Sequence, residues 1–166
     1  WTTEKDEIYG VPISGVVHGI FYNVDLFKRL GLPVPQTWED LLYIAQIIKN
    51  AGIVPFANSA GNTQYDLSER LFVTLVPNFT GGREGRKAYE EGKRCFNDPG
   101  IVATFEAIAE LQPYLHPQNL SLFQSGKRFV NGEAAMWIGG SWELKTILKE
   151  NPNFEWSAFL PPPPSG

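Results

Sequence analysis

The stretch Gly132-Glu133-Ala134-Ala135-Met136-Trp137-Ile138-Gly139-Gly140-Ser141-Trp142 decides how the rest of the chain is read. Asn131-Gly132 turns the chain. Ala134 to Ile138 is a short apolar run, read as a buried strand. Alternation along it sets Met136 and Trp137 on opposite faces. Met136 belongs to the core, and the side chosen by Trp137 stays open. Gly139-Gly140 leads into Ser141, placed to cap a helix that runs through Leu148 and breaks at Asn151-Pro152.

Working outward, the same alternation of elements continues. Ser121 to Phe129 reads as a helix. Asp98-Pro99 pairs an N-cap with a proline at the first helical position. A stripe of Ile101, Val102, Phe105, Ile108, Ala109 and Leu111 follows. Gly81-Gly82 marks a turn. Asp66 is placed to cap a helix through Leu67, Leu71, Phe72 and Leu75 that ends at Pro77. Val54 to Ala57 is a short strand, and Asn58 to Gln64 a polar loop. The clearest helix starts at Thr37, with Glu39 and Asp40 in its first turn and Trp38, Leu41, Leu42, Ala45 and Ile48 on one face. Gly52 closes it. Asn23 opens a shorter helix, Val24 to Leu30. Ile8 to Tyr22, broken by Gly10, Pro12 and Gly15, reads as one or two strands crossing between structural units. Phe154 to Leu160 is a last strand before four prolines. The sum is a helix-rich α/β lobe with a small sheet. Both ends are strand-like, as if the chain continued into a second unit.

Charge and composition narrow the function. With 14 basic and 18 acidic residues the net charge is −4. No Lys/Arg-rich block exists to neutralise phosphates, so no nucleic-acid partner is expected. Arg83 to Arg94 is diluted by Glu84, Glu90 and Glu91 and reads as a solvated helix face. The single cysteine, Cys95, rules out an intrachain disulfide and is expected to be buried beside Phe96. His18 and His116 lack metal-ligand spacing, so neither a metal nor a cofactor is expected. Gly139-Gly140-Ser141-Trp142 superficially resembles a nucleophile turn, but no histidine follows it to act as base. No catalytic residue is assigned.

Two stretches carry groups suited to binding. At the strand-to-helix junction, Gly140 lets a ligand approach the backbone, Ser141 adds a hydroxyl, and Trp142 offers a flat ring. A sugar has C–H patches on its faces and hydroxyls around its edge, and such a set suits it. The same residues also make an ordinary Ser cap and a buried Trp. The second stretch, Asn58 to Asp66, holds amides and hydroxyls with Gln64, Tyr65 and Asp66 at its end. It reads equally as a plain polar loop.

Taken in order, the motifs resemble a family. They are Tyr9-Gly10-Val11-Pro12, Phe21-Tyr22-Asn23 with Asp25-Leu26-Phe27, Gly31-Leu32, and Pro35-Gln36-Thr37-Trp38-Glu39-Asp40-Leu41. Gly81-Gly82, Phe96-Asn97-Asp98-Pro99, Phe129, Gly132-Glu133-Ala134-Ala135-Met136, Gly139-Gly140-Ser141-Trp142 and Leu160-Pro161 follow. Each is weak alone, but their collinearity over almost the whole chain is similar to the family 1 extracellular solute-binding proteins, the group of maltose- and other sugar-binding proteins.

The resemblance implies one lobe of a two-lobe, type II periplasmic-binding-protein-like fold. Residues 1–166 would be the second lobe, with about 1–22 and 155–166 as hinge segments and the first lobe missing. It implies a non-enzymatic, sugar- or oligosaccharide-binding component of an ABC importer. Its partners would be a carbohydrate and a membrane permease. It would work outside the cell or in the periplasm, lipid-anchored or free. Trp142 matches the family's stacking aromatic after the Gly-rich turn, and Tyr65 the aromatic of the earlier loop. His18 and Ser14 are placed to approach the cleft. Sister families on this fold carry polyamines, ferric ions or other small solutes; a polyamine would use Asp66 or Glu143 as carboxylates, and a ferric ion would want tyrosines, which are scattered here. A glycan-active enzyme using two carboxylates is the alternative of another class.

Overall fold

A computed structural model describes residues 10–11, 13–59, 70–118 and 120–165. In chain order the elements are β1 (His18–Asn23), α1 (Val24–Leu30), α2 (Trp38–Asn50) and β2 (Val54–Ser59). Then come α3 (Val73–Thr80), α4 (Gly82–Glu90), α5 (Pro99–Leu111), β3 (Leu115–His116) and α6 (Leu122–Val130). The last are β4 (Ala134–Gly140), α7 (Leu144–Glu150) and β5 (Trp156–Phe159). The five strands form one sheet in the order β3-β2-β4-β1-β5. β2 runs parallel to both β3 and β4, whereas β1 is antiparallel to β4 and β5.

β4 is the central strand, and all seven of its residues are buried. Its sequence is uniformly apolar or glycine because helices cover both faces of the sheet. On one face Ile20, Phe56, Met136 and Ile138 meet Leu41, Ile44 and Ile48 of α2, Leu75 of α3, and Ile108 and Leu111 of α5. On the other, Phe21, Ala57 and Trp137 meet Phe129 and Val130 of α6 and Ile147 of α7. Trp137 is therefore a core residue, fully buried. Its indole N–H has no hydrogen-bond partner among the described residues, so its burial rests on packed area rather than on pairing.

The capping signals at Asn23, Thr37 and Asp98 appear in the structure. Asn23 accepts from the Leu26 N–H at 2.8 Å and Asp98 from the Ile101 N–H at 3.1 Å. Thr37 and Asp40 form a reciprocal capping box. Ser121 and Gln124 form another.

Several expectations are corrected. Among the described residues the first segment is strand only over β1, and residues 13–17 have no regular structure. β2 extends past Ala57 to Ser59, because Asn58 and Ser59 find buried partners and need no water. The helix does not stop at Pro77 but runs three residues further to Gly81, which takes the left-handed conformation. Its buried Thr74, Leu75 and Thr80 hold it across the lost backbone bond. α5 turns Thr104 inward rather than Val102, Phe105 and Ala109, which are exposed. The Thr104 hydroxyl donates to the Gly100 carbonyl at 2.8 Å, so it can be buried without loss. Cys95 is exposed, since it lies in the turn between α4 and α5 and not on a packed face. β5 is shorter than Phe154 to Leu160.

Gly126 on α6 shows how tightly the second face is packed. A Cβ there would lie 2.9 Å from Cη2 of Trp137. Alanine is a better helix former than glycine by about 1 kcal/mol. Gly126→Ala nevertheless should lose about 1–3 kcal/mol of stability, because the rigid, enclosed indole cannot retreat. Urea unfolding checks this, and a stabilised variant would mean that the contact is slack.

Candidate ligand-binding site

Because β2 and β4 are parallel, their carboxyl ends reach the same end of the sheet, and β1 begins there with His18 opposite Gly140. Ligands of open α/β sheets bind beyond the carboxyl ends of parallel strands. Three of the residues singled out in the sequence, Gly140, Ser141 and Trp142, stand here.

They are arranged differently from a glycine turn and cap. Gly139 and Gly140 belong to β4, whose ladder with β1 continues to this point. Ser141 does not cap a helix. Its N–H donates to the Val17 carbonyl at 2.9 Å, and its Oγ accepts from the Val17 N–H at 3.3 Å. A single 3-10 turn, Ser141–Glu143, then leads into α7. Gly140 is extended, with φ −122°, so its lack of a side chain is not a matter of backbone freedom. A Cβ there would come within 2.0 Å of Cζ3 of Trp142. The indole thus occupies the space over Gly140.

Trp142 is 45% exposed. Its Nε1 donates to Oε1 of Glu143 at 3.0 Å. The His18 ring meets it edge-on, with centroids 5.1 Å apart and an interplanar angle of 80°. His18 Nδ1 lies 3.0 Å from Oγ1 of Thr74. Glu143 is buried and forms an ion pair with Arg70, itself only 4% exposed. Arg70 stands in a π turn over 70–72, just before α3. Its guanidinium lies 5.4 Å from the centre of the Trp137 ring.

Asn58 and Ser59 finish β2 at the same end. Asn58 donates from Nδ2 to the Ile138 carbonyl at 2.9 Å and accepts from the Ile138 N–H at 2.8 Å. Ser59 Oγ donates to the Gln118 carbonyl at 2.6 Å and accepts from the Leu120 N–H at 3.0 Å. Gln64, Tyr65 and Asp66 lie outside the described residues. Sequence reasoning missed Arg70 altogether and took Asn58 for a loop residue. A polar residue at the end of an apolar run carries no signal of whether it is buried.

Burial, and then the charge of Arg70, hold the His18 imidazole below its ordinary value of 6.5, so it is neutral at pH 7.

The bacterial extracellular solute-binding protein family matches the chain over residues 1–166. The chain belongs to that family. It is 29% identical to a multiple sugar-binding protein of Streptococcus mutans, over 95% of this chain and 39% of that protein. It is 25% identical to a putative ABC transporter periplasmic-binding protein of Escherichia coli, over 85% of this chain and 32% of that protein. A solved chitin oligosaccharide binding protein superposes with a TM-score of 0.84 at 28% identity, covering 99% of this chain and 42% of that one. The chain therefore spans about a third to two fifths of the length of these relatives. The small open sheet between helices is the expected fold of one lobe of a type II periplasmic binding protein.

Two outcomes follow for this lobe. In Gly140→Ala the new methyl should push the Trp142 indole outward, raising acrylamide quenching of tryptophan fluorescence. The increase should vanish in Gly140→Ala/Trp142→Phe, which separates Trp142 from the other four tryptophans. Secondly, the depressed pKa of His18 means that the unfolded chain binds the extra proton first. Its contribution to stability is present above 6.5 and is lost as pH falls through the lower folded-state value. Urea midpoints measured from pH 7 to pH 5 should fall less steeply in His18→Gln than in wild type. A slope should remain, because burial depresses His116 in the same direction.

Proposed function

We propose that this chain is a non-catalytic carbohydrate-binding lobe, and that Trp142 is the platform on which a sugar ring stacks. The observation that carries this reading is a half-exposed indole held at the carboxyl end of the sheet by its neighbours. An exposed tryptophan that is nevertheless fixed offers a flat apolar face at low entropic cost. Relatives named for multiple sugars and for chitin oligosaccharides support the ligand class. The relative named for an ABC transporter supports a role as the extracellular or periplasmic receptor of an importer. A membrane permease would then be its partner, and a lipid anchor or free diffusion in the periplasm would set its place.

In the complete protein a second lobe would close over the ligand, with residues 1–22 and 155–166 as the crossing segments. Two features support that assignment. β1 and β5 lie side by side and antiparallel, so the chain arrives and leaves at one end of the sheet. Val11, Ile13, Val16 and Val17, before β1, are exposed although apolar, Ile13 at 97%. After β5 the backbone stays close to this lobe, where Pro161 accepts from Asn78 at 2.8 Å and Pro163 from the Trp38 N–H at 2.8 Å. The alternative of a cationic polyamine needs a free carboxylate. Of the two carboxylates the sequence offers for it, Glu143 is buried with its Oε1 shared by Arg70 and Trp142, and Asp66 lies outside the described residues.

The test is an NMR titration of the indole N–H signals with maltotriose, raffinose and chitotriose, beside spermidine. One wall binds weakly, so the same panel is run on the complete protein. A saccharide should bind, and Trp142→Ala should weaken it about tenfold or more, equivalent to about 1.4 kcal/mol. Saccharide binding that ignores the substitution would make Trp142 a bystander. Binding of spermidine alone would move the protein to another ligand class.

A further inference from the structure

Among the described residues, one carboxylate oxygen does two things at once. Oε1 of Glu143 accepts from the indole N–H of Trp142 at 3.0 Å, and it is also the atom paired with Nη2 of Arg70. Glu143 is 7% exposed and Arg70 4%, whereas Trp142 is the exposed member of the set. A carboxylate at the edge of the solvent would hold an indole only loosely, because water competes for the same oxygen. A buried carboxylate, fixed by a guanidinium that is itself packed over the Trp137 ring, has little freedom to move. The indole is bounded on its other sides by Gly140 and by the edge of His18. Together these three contacts limit the orientations open to the ring.

We propose that Glu143 is a positioning residue for ligand recognition. Held by Arg70, it fixes the plane of the Trp142 indole before any ligand arrives. This inference rests on the proposed role of Trp142 as the stacking platform. Its chemistry requires an acceptor at the position of Oε1, not a free negative charge. Glutamine supplies such an acceptor and methionine does not, although the two side chains are of similar length. Without the acceptor, the ring must be ordered by the ligand itself. The ordering of one side chain then weakens binding about fivefold.

The experiment has a part that needs no ligand and no variant of Glu143. In the wild-type chain the Trp142 indole N–H, identified by its loss in Trp142→Phe, should exchange with solvent at least about tenfold more slowly than in a free indole. Exchange at the free rate would overturn the inference whatever sugar binds. The second part uses the saccharide that binds best among maltotriose, raffinose and chitotriose. Glu143→Gln should stay within about twofold of wild type, and Glu143→Met should lose about fivefold. In a Trp142→Phe background, which has a ring but no N–H, Glu143→Met should cost nothing further. An equal loss in both backgrounds would assign Glu143 a structural role only and sink the proposal. If Trp142→Ala leaves saccharide binding intact, the platform reading fails, while the exchange result still reports on the hydrogen bond. Should Glu143→Met not fold, the exchange rate decides.

Discussion

The side chain of Asn58 makes two hydrogen bonds to the backbone of Ile138, and the carboxyl end of the parallel strands depends on them. β4 is buried on both faces, so no water reaches its peptide groups, and each needs a protein partner. Up to Phe56 and Met136 the pairing between β2 and β4 is regular. At the next pair the Asn58 amide stands in for a peptide group, donating to the Ile138 carbonyl and accepting from its N–H. The side-chain amide thus satisfies both peptide groups of Ile138. Ser59, one residue on, uses its hydroxyl to tie the segment after β3 to the same place. Two buried polar side chains thus end the parallel pairing with their own polar groups satisfied.

Arg70 connects that buried end to the exposed one. Its guanidinium covers the ring of Trp137, donates at 3.4 Å to the Ile138 carbonyl, and pairs with Glu143, which in turn holds Trp142. Two tryptophans five residues apart are therefore fixed by one cation, one inside the core and one at the surface. Each lies on a glycine, Trp137 on Gly126 and Trp142 on Gly140. Neither glycine has a positive φ. Both are bare because a ring needs the room, a demand that sequence pattern alone attributes to turns or to ligand approach.

What the sequence made legible follows the range of the interactions involved. Capping is local, and Asn23, Thr37 and Asp98 cap as their spacing indicates. The stripe on α2 is legible because helix periodicity is local too. The stripe on α5 misled because Thr104 satisfies itself within the helix and can face inward, leaving Phe105 to stack on Phe72 at the rim. Ser141 misled for the opposite reason. Its partner, Val17, is 124 residues away, and no spacing rule anticipates that it will bond there rather than cap a helix. Cys95 was placed by residue type, but its position in a turn decided its exposure. Trp142 is singled out by the family resemblance as a stacking aromatic; the contact of Arg70 with Glu143 behind it has no sequence signal, since 73 residues separate the pair.

A buried ion pair seldom stabilises a fold on balance, because desolvating two charges costs about as much as their attraction returns. The presence of one directly beneath a proposed sugar site needs a reason other than stability. A neutral polyol gains nothing from a naked charge below it and binds best to surfaces already organised and already desolvated. The pair meets both needs. Arg70 and Glu143 cancel each other, and what they present outward is the orientation of a neutral ring. His18, kept neutral by burial and by the same arginine, adds an edge without adding charge. An arrangement selected only to hold α3 against the 3-10 turn would work as well with two apolar residues of the same volume, and would not require the carboxylate to reach the indole N–H.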